Sequence, residues 1–334
     1  MKKLLALLVA ALLIVCASLA LAEPVAIKAL ILPKFESGEM AGDFPGEAQY
    51  YYEAYCDGGE SYDVAGCPNP LYVKDGVALC VTGMGKVNSA MTLQAILMDD
   101  RFDFSNAYIV STGCAGSAIE YGVMGDVFVI TATVDFDLGH HADARDLTTD
   151  LATTWFHDES YDDASAKLLN QELCEKVFNL VKDVQIETTE KTRAFMAATF
   201  DNADWAIRDP KVLRGTTVTG DNYWKGMHDH ENALLMTKTY GCPDPYALTE
   251  MEDHAMSVVL DRLGMLDRYI IIRDSVNTDV FMNGASPESL WDPNFVDSLA
   301  SESSVESADI FATAMKNNFT VGHVVIDAIL NGEL

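Results

Sequence analysis

Basic residues are scarce in this 334-residue chain: 22 Lys and Arg stand against 51 Asp and Glu, a formal charge of −29. A surface of that sign repels a polyphosphate backbone, which argues against nucleic acid as a partner, whereas a neutral small ligand is indifferent to it. Long apolar runs are missing beyond residue 22, where none reaches the ~20 residues that a membrane-spanning helix needs. No CxxC pair points to zinc or redox work, and neither a GxSxG elbow nor a Cys-His nucleophile signature is present. Linkers rich in Pro, Gly or Ser, internal repeats and low-complexity segments are lacking as well. Residues 23–334 are therefore expected to form a single domain.

The N-terminus is the exception to the shortage of apolar runs. Lys2 and Lys3 precede an apolar stretch from Leu4 to Leu21 that ends in Ala20-Leu21-Ala22, a small-x-small cleavage pattern. Residues 1–22 read as a signal peptide, which predicts a secreted or periplasmic protein. Six cysteines follow it, and in an oxidising compartment some should pair. Cys56 and Cys67 flank a polar loop and are the candidate disulfide; Cys80 and Cys114, in or beside apolar strands, are expected to stay buried thiols.

Apolar runs over residues 25–32, 77–82, 106–112, 125–131, 212–219 and 269–272 read as strands. They alternate with helical patterns over 87–98, 164–184, 232–239, 251–263 and 295–330, the last with a break expected at Gly322. That alternation predicts α/β architecture, in which ligands gather at strand ends. Several strand ends are suited to this. Glu36 and Glu39 follow the first strand, and Gly83-Met84-Gly85-Lys86 the second. The second is no phosphate loop, because GxxxxGK[ST] and the third glycine of a dinucleotide fingerprint are both absent. Small residues, Gly113 to Ser117, follow the third strand. Tyr223 and Trp224 sit on a glycine-bracketed loop, and Glu250, Glu252 and Asp253 open the helix before the last strand. His140, His141 and their neighbouring aspartates match no metal-ligand spacing, so no metal is expected. The run Tyr50, Tyr51, Tyr52 and Tyr55 reads as packing.

Five segments taken together carry a resemblance: TGMGKVNSAMT (Thr82 to Thr92), STGCAGSAIEYGVMGDVFVI (Ser111 to Ile130), VTGDNYW (Val218 to Trp224), TEMEDHA (Thr249 to Ala255) and IIIRDSVNTD (Ile270 to Asp279). In order and spacing they resemble the purine nucleoside phosphorylase and methylthioadenosine nucleosidase superfamily. With the Asp135 to Asp146 segment and the leader, the chain looks like the purine nucleoside permease family within it. The resemblance implies a three-layer α/β/α sandwich with a mixed central sheet, nucleoside phosphorylase-like, in homo-oligomers of two or more subunits. Its ligand would be a purine nucleoside. Met251 would pack beneath the ribose, Glu252 would accept from the ribose hydroxyls, and Tyr223 would stack on the base beside Trp224. Cys114, Ala115 and Gly116 would line the floor, Asn277 would face the purine, and Glu36 or Glu39 would activate water. Phosphorylases carry arginine where this chain has Ser111 and serine where it has Cys114, both gripping phosphate. Water is thus the expected nucleophile, with no cofactor and with phosphate left open as a co-substrate. Asn277 stands where adenine-cleaving relatives have Asp, which favours 6-oxopurine nucleosides. The alternative within the same resemblance is a nucleoside-binding protein of uptake that cleaves nothing.

Overall fold

The computed structural model describes residues 23–149, 153–199, 208–281 and 293–334, with the side chains of 198–199 and 293–308 left undescribed. Residues 1–22, read above as a signal peptide, lie outside the described residues. The strands are β1 (Val25–Ala26), β2 (Ala29–Leu32), β3 (Glu60–Tyr62), β4 (Leu71–Lys74), β5 (Val77–Leu79), β6 (Phe102–Asp103), β7 (Tyr108–Ser117), β8 (Val127–Asp135), β9 (His140–His141), β10 (Trp155–Phe156), β11 (Ala166–Leu168), β12 (Val212–Thr219), β13 (Tyr246–Glu250) and β14 (Tyr269–Thr278). The α-helices are α1 (Gln49–Tyr55), α2 (Lys86–Leu97), α3 (Asp162–Ser165), α4 (Gln171–Val181), α5 (Glu190–Thr199), α6 (Met227–Thr239), α7 (Asp253–Arg262) and α8 (Pro293–Asn331).

Ten strands form one mixed sheet among the described residues, in the order β11-β8-β12-β13-β7-β2-β5-β4-β3, with β14 paired to both β7 and β8. The pairings β7-β14-β8-β12-β13 return to β7, so the middle of the sheet closes on itself. β-Branched residues fill the runs at its centre, as in Val127, Val129, Ile130 and Ile270 to Ile272, and such side chains pack well on a pleated surface. One face of the sheet is covered by α2 and α7, through Leu93, Ile96, Met256 and Leu260. The other is covered by α1, α4 and α8, through Tyr51, Val177, Val181, Val321 and Val325. The three-layer expectation holds.

Several local expectations do not. Residues 164–184 are not one helix: α3 stops at Ser165, β11 pairs antiparallel with β8, and α4 restarts at Gln171 with the Asn170 side chain capping its first amides. The helix expected from Met251 begins at Asp253, because residues 246–250 form β13 against β12. Its buried face is therefore Met256, Ser257 and Leu260 instead of the set counted from Met251. β14 continues through what reads as a polar tail to Thr278. α8 runs unbroken through Gly322. Cys56 and Cys67 belong to cores on opposite faces of the sheet and are both free thiols, Cys67 lying against Cys80 instead.

Candidate active site

The carboxyl ends of β2, β7, β13 and β14 meet around a cleft of about 170 Å³, open to solvent at its mouth. Its floor is Cys114, Ala115 and Gly116 of β7, and its walls include Glu47, Tyr223, Trp224, Met251, Glu252, Arg273 and Asn277. The cleft thus gathers the residues expected from the β7, 218–224, 249–255 and 270–279 segments.

Two glycines make this possible. At Gly113 (φ +138°) a Cβ would stand 2.5–2.6 Å from the Glu47 carboxyl atoms, and at Gly116 a Cβ would stand 2.6 Å from Asn277 Oδ1. Each absent side chain is the space that a polar group of the cleft occupies. The backbone of Cys114 then links the two sides: its N–H donates to Glu47 Oε1 at 2.9 Å, and its carbonyl accepts from Arg273 Nη1 at 2.9 Å. Gly116→Ala is expected to push Asn277 aside. Overpacking of this kind costs about 1–3 kcal/mol, so calorimetric titration with a purine ligand should show affinity about tenfold weaker in a variant that still melts cooperatively.

Arg273 is the electrostatic centre. It is 1% exposed, and its guanidinium bonds Glu250 (3.1 Å), Glu252 (3.0 Å) and both oxygens of Asp253 (2.9 and 3.0 Å). Lys34, equally buried, donates to the Leu32 and Thr112 carbonyls and to Ser111 Oγ, and lies 3.9 Å from Asp253. Burial lowers the Lys34 ammonium to about 8, with Arg273 beside it adding to the effect. Burial raises the Glu250 carboxyl to about 7, reinforced by Asp253. Asp253 itself is held low against the cost of its burial by Arg273 and Lys34. Burial also raises Glu47, and Arg273 and Lys34 oppose that rise. Glu252 spends two acceptor positions, on the Gly85 N–H (2.9 Å) and on Arg273, and a carboxylate offers about four.

The expected acids at Glu36 and Glu39 take other places. The Glu36 carboxylate accepts from the amides of Gly46, Ala48 and Gln49 and so fastens the turn that leads into α1. Glu39 is exposed, and both border an adjoining open hollow instead of the cleft. The carboxyl that enters the cleft from this segment is Glu47, clamped by the Lys34 N–H at 2.6 Å as well as by Cys114. Ser111 does not line the cleft; its hydroxyl joins Lys34 to Asp253 beneath the floor, at 2.5 Å to each. Cys114 is only half-buried, its side facing the cleft. Trp224 is 8% exposed and stacks on Phe136 (5.0 Å, 19°), so it backs the wall, while Tyr223 beside it is 54% exposed at the mouth. The Gly83 to Lys86 turn does approach something closely: the amides of Gly85 and Lys86 donate to the carboxylates of Glu252 and Asp221, and the Lys86 ammonium is held by Asp135 and Asp137. Glu47 is legible in hindsight as the acid next to the Pro45-Gly46 turn at the entrance of the tyrosine helix, and Lys34 as a charge at the end of an otherwise apolar strand.

The closed mixed sheet with its cleft at the strand ends has the fold of the nucleoside phosphorylases and nucleosidases. The chain belongs to the purine nucleoside permease (NUP) family, which it matches over residues 26–333. It is 28% identical over 224 residues to a Schizosaccharomyces pombe protein named "probable purine nucleoside permease", covering 59% of this chain and 63% of that one. It is 24% identical over 212 residues to the purine nucleoside permease of Candida albicans, covering 58% of this chain and 52% of that one. The chain thus spans between half and two thirds of the length of these curated relatives. In three dimensions it resembles 5'-methylthioadenosine/S-adenosylhomocysteine nucleosidase of Helicobacter pylori in two small-molecule complexes. The TM-scores are 0.52 and 0.50 at 16% identity, covering 93% and 90% of this chain and 100% and 99% of the other. At that identity the likeness is one of fold. No helix among the described residues is long and apolar enough to cross a membrane.

Proposed function

We propose that this protein hydrolyses the N-glycosidic bond of purine nucleosides, with 6-oxopurine nucleosides preferred. The observation that carries the reading is the convergence of Glu47, Glu252 and Asn277 on one cleft around Cys114 to Gly116. Breaking the bond between C1′ and the purine leaves positive charge on the sugar and negative charge on the base. Glu252, with acceptor positions to spare, grips the ribose hydroxyls below the developing cation. Glu47 takes the proton of a water whose oxygen bonds to C1′, while the electron pair of the broken bond leaves with the base, which takes its proton from solvent. Asn277 donates its amide N–H to O6, where charge accumulates; having no titratable proton, it cannot protonate adenine as a carboxylic acid would.

Water is favoured over phosphate on charge grounds. Lys34 and Arg273 line the cleft together with Glu47, Glu250 and Glu252, and Asp253 lies directly beneath. A phosphate dianion would meet cations already paired with carboxylates. The test is to incubate the protein with inosine, guanosine and adenosine, with and without phosphate, and to measure free base and sugar. Ribose released in phosphate-free buffer, faster from inosine than from adenosine, is the expected outcome. Ribose 1-phosphate as the main sugar product would restore a phosphorylase, and saturable binding with no free base would favour the uptake role that the relatives' name suggests.

Self-association is part of the proposal. Val87 and Met91 are 65% and 58% exposed, four residues apart on one face of α2, and Met98, just past its C-terminal end, is 67% exposed. Met84, at the cleft, extends that apolar strip to the mouth. Sedimentation should give a dimer or larger, and Met91→Glu should lower the mass toward a monomer; an unchanged mass would place the contact elsewhere.

A further inference from the structure

Glu47 reaches the cleft from the entrance of α1, and α1 is held from behind by the C-terminal helix. Tyr51, one turn after Glu47, is fully buried; its hydroxyl donates to Asn318 Oδ1 at 2.8 Å and lies 3.2 Å from the Asn318 carbonyl. The Asn318 amide nitrogen donates in turn to the carbonyls of Gly113 (3.3 Å) and Ile272 (3.2 Å). One side chain therefore references α1 to β7 and β14, the strands that carry the floor and Asn277. Gly322, one turn further along α8, supplies the room for the Tyr51 ring: a Cβ there would stand 1.8 Å from the hydroxyl oxygen and 2.8 Å from Cζ. Tyr55 adds a second fastening, donating to Asp327 at 2.7 Å. Neither Asn318 nor Gly322 lines the cleft.

We propose that Asn318 and Gly322 of the C-terminal helix are positioning residues for the cleft, setting the carboxyl of Glu47 through Tyr51. This deepens the hydrolase reading and rests on Glu47 as its base. A general base works only within hydrogen-bond reach of the proton that it takes, and a misplacement near 1 Å costs on the order of 10²-fold. Nucleoside grip, by contrast, is assigned to Glu252, Tyr223 and Asn277, which Tyr51 does not touch. Disturbing the contact should accordingly lower kcat and leave KM nearly unmoved.

The experiment compares inosine kinetics of the full chain with those of Gly322→Ala, Tyr51→Leu, the pair combined, and Asn318→Ala. Gly322→Ala is expected to lower kcat by about tenfold to a hundredfold at little-changed KM, and to cost nothing further once Tyr51 is the shorter Leu, since the two effects share one contact. Should Gly322→Ala fail to fold, Asn318→Ala carries the same kcat expectation, and its loss should shrink in a Tyr51→Phe background, where only the bonds to the Gly113 and Ile272 carbonyls are left to lose. The proposal is overturned if either single variant keeps the native kcat, if Gly322→Ala costs the same in both backgrounds, or if KM rises in step with the fall in kcat. Failure of the native chain to release any base would instead sink the hydrolase reading itself.

Discussion

Glu47→Gln is expected to lower kcat by about 10²- to 10⁴-fold, the range that a positioned general base supplies, while the protein still melts cooperatively. The carboxyl is buried, and burial raises it above its ordinary range, which moves a base that would be too weak at neutrality toward the operating pH. Its two oxygens each accept one backbone N–H, from Lys34 and from Cys114. A glutamine of the same shape keeps one of those bonds through its carbonyl but turns an N–H toward the other donor, and it accepts no proton from water. The pH profile gives a second check. A base must be ionised to act, so activity should fall as pH drops through the raised pKa of Glu47, on a limb above the ordinary carboxylate range of about 4. The residual activity of the variant should lack that limb. Native kcat in Glu47→Gln would remove this residue from the chemistry and return attention to Glu36.

How far the sequence carries is best seen along β7 and β14. The runs Ile109-Val110 and Ile270 to Ile272 announce strands, and Gly113 to Ser117 announces a strand end with room for a ligand. That much follows from local pattern. The polar residues after Ile272 break the pattern, yet β14 continues through them because Arg273 finds three carboxylates and Asn277 pairs in register with Gly116. Buried polar strand residues are stabilised by partners distant in sequence, and a hydrophobic window does not see those partners. The same limit hid Glu47. Its segment has turn chemistry and tyrosines but no periodicity, and only the packing of α1 against α8 brings it over Gly113. The helix expected across 164–184 failed for a related reason: residues 166–168 gain more as an edge strand on β8 than as a helical turn. Gly322 misled in the opposite direction, since its missing side chain serves a ring from another element and not a break in its own helix.

Arg273→Met should be the most destabilising single change among the cleft residues. Methionine has about the right length and is apolar, so packing is largely kept; what is removed is the cation that Glu250, Glu252 and Asp253 share at 2.9–3.1 Å. Breaking a buried pair by taking away one partner costs about 3–5 kcal/mol, against a total of roughly 5–15 kcal/mol for a folded domain. The sign of its pH dependence separates charge from packing. In the native chain Asp253 is depressed despite its burial and so contributes stability above the ordinary carboxylate range. Glu250 is raised by burial to about 7 and gives stability up as pH climbs toward that value. Without Arg273, Asp253 and Glu250 both move upward, the folded state binds more protons than the unfolded one, and stability falls as pH rises. The loss in Tm relative to the native chain should therefore be modest near about pH 5 and large near about pH 8, a window that spans the shift from carboxylate to raised-carboxyl behaviour. Paired thermal melts across that range decide it. A deficit that stays constant with pH would mean that the guanidinium matters for its packing and not for the carboxylates it joins.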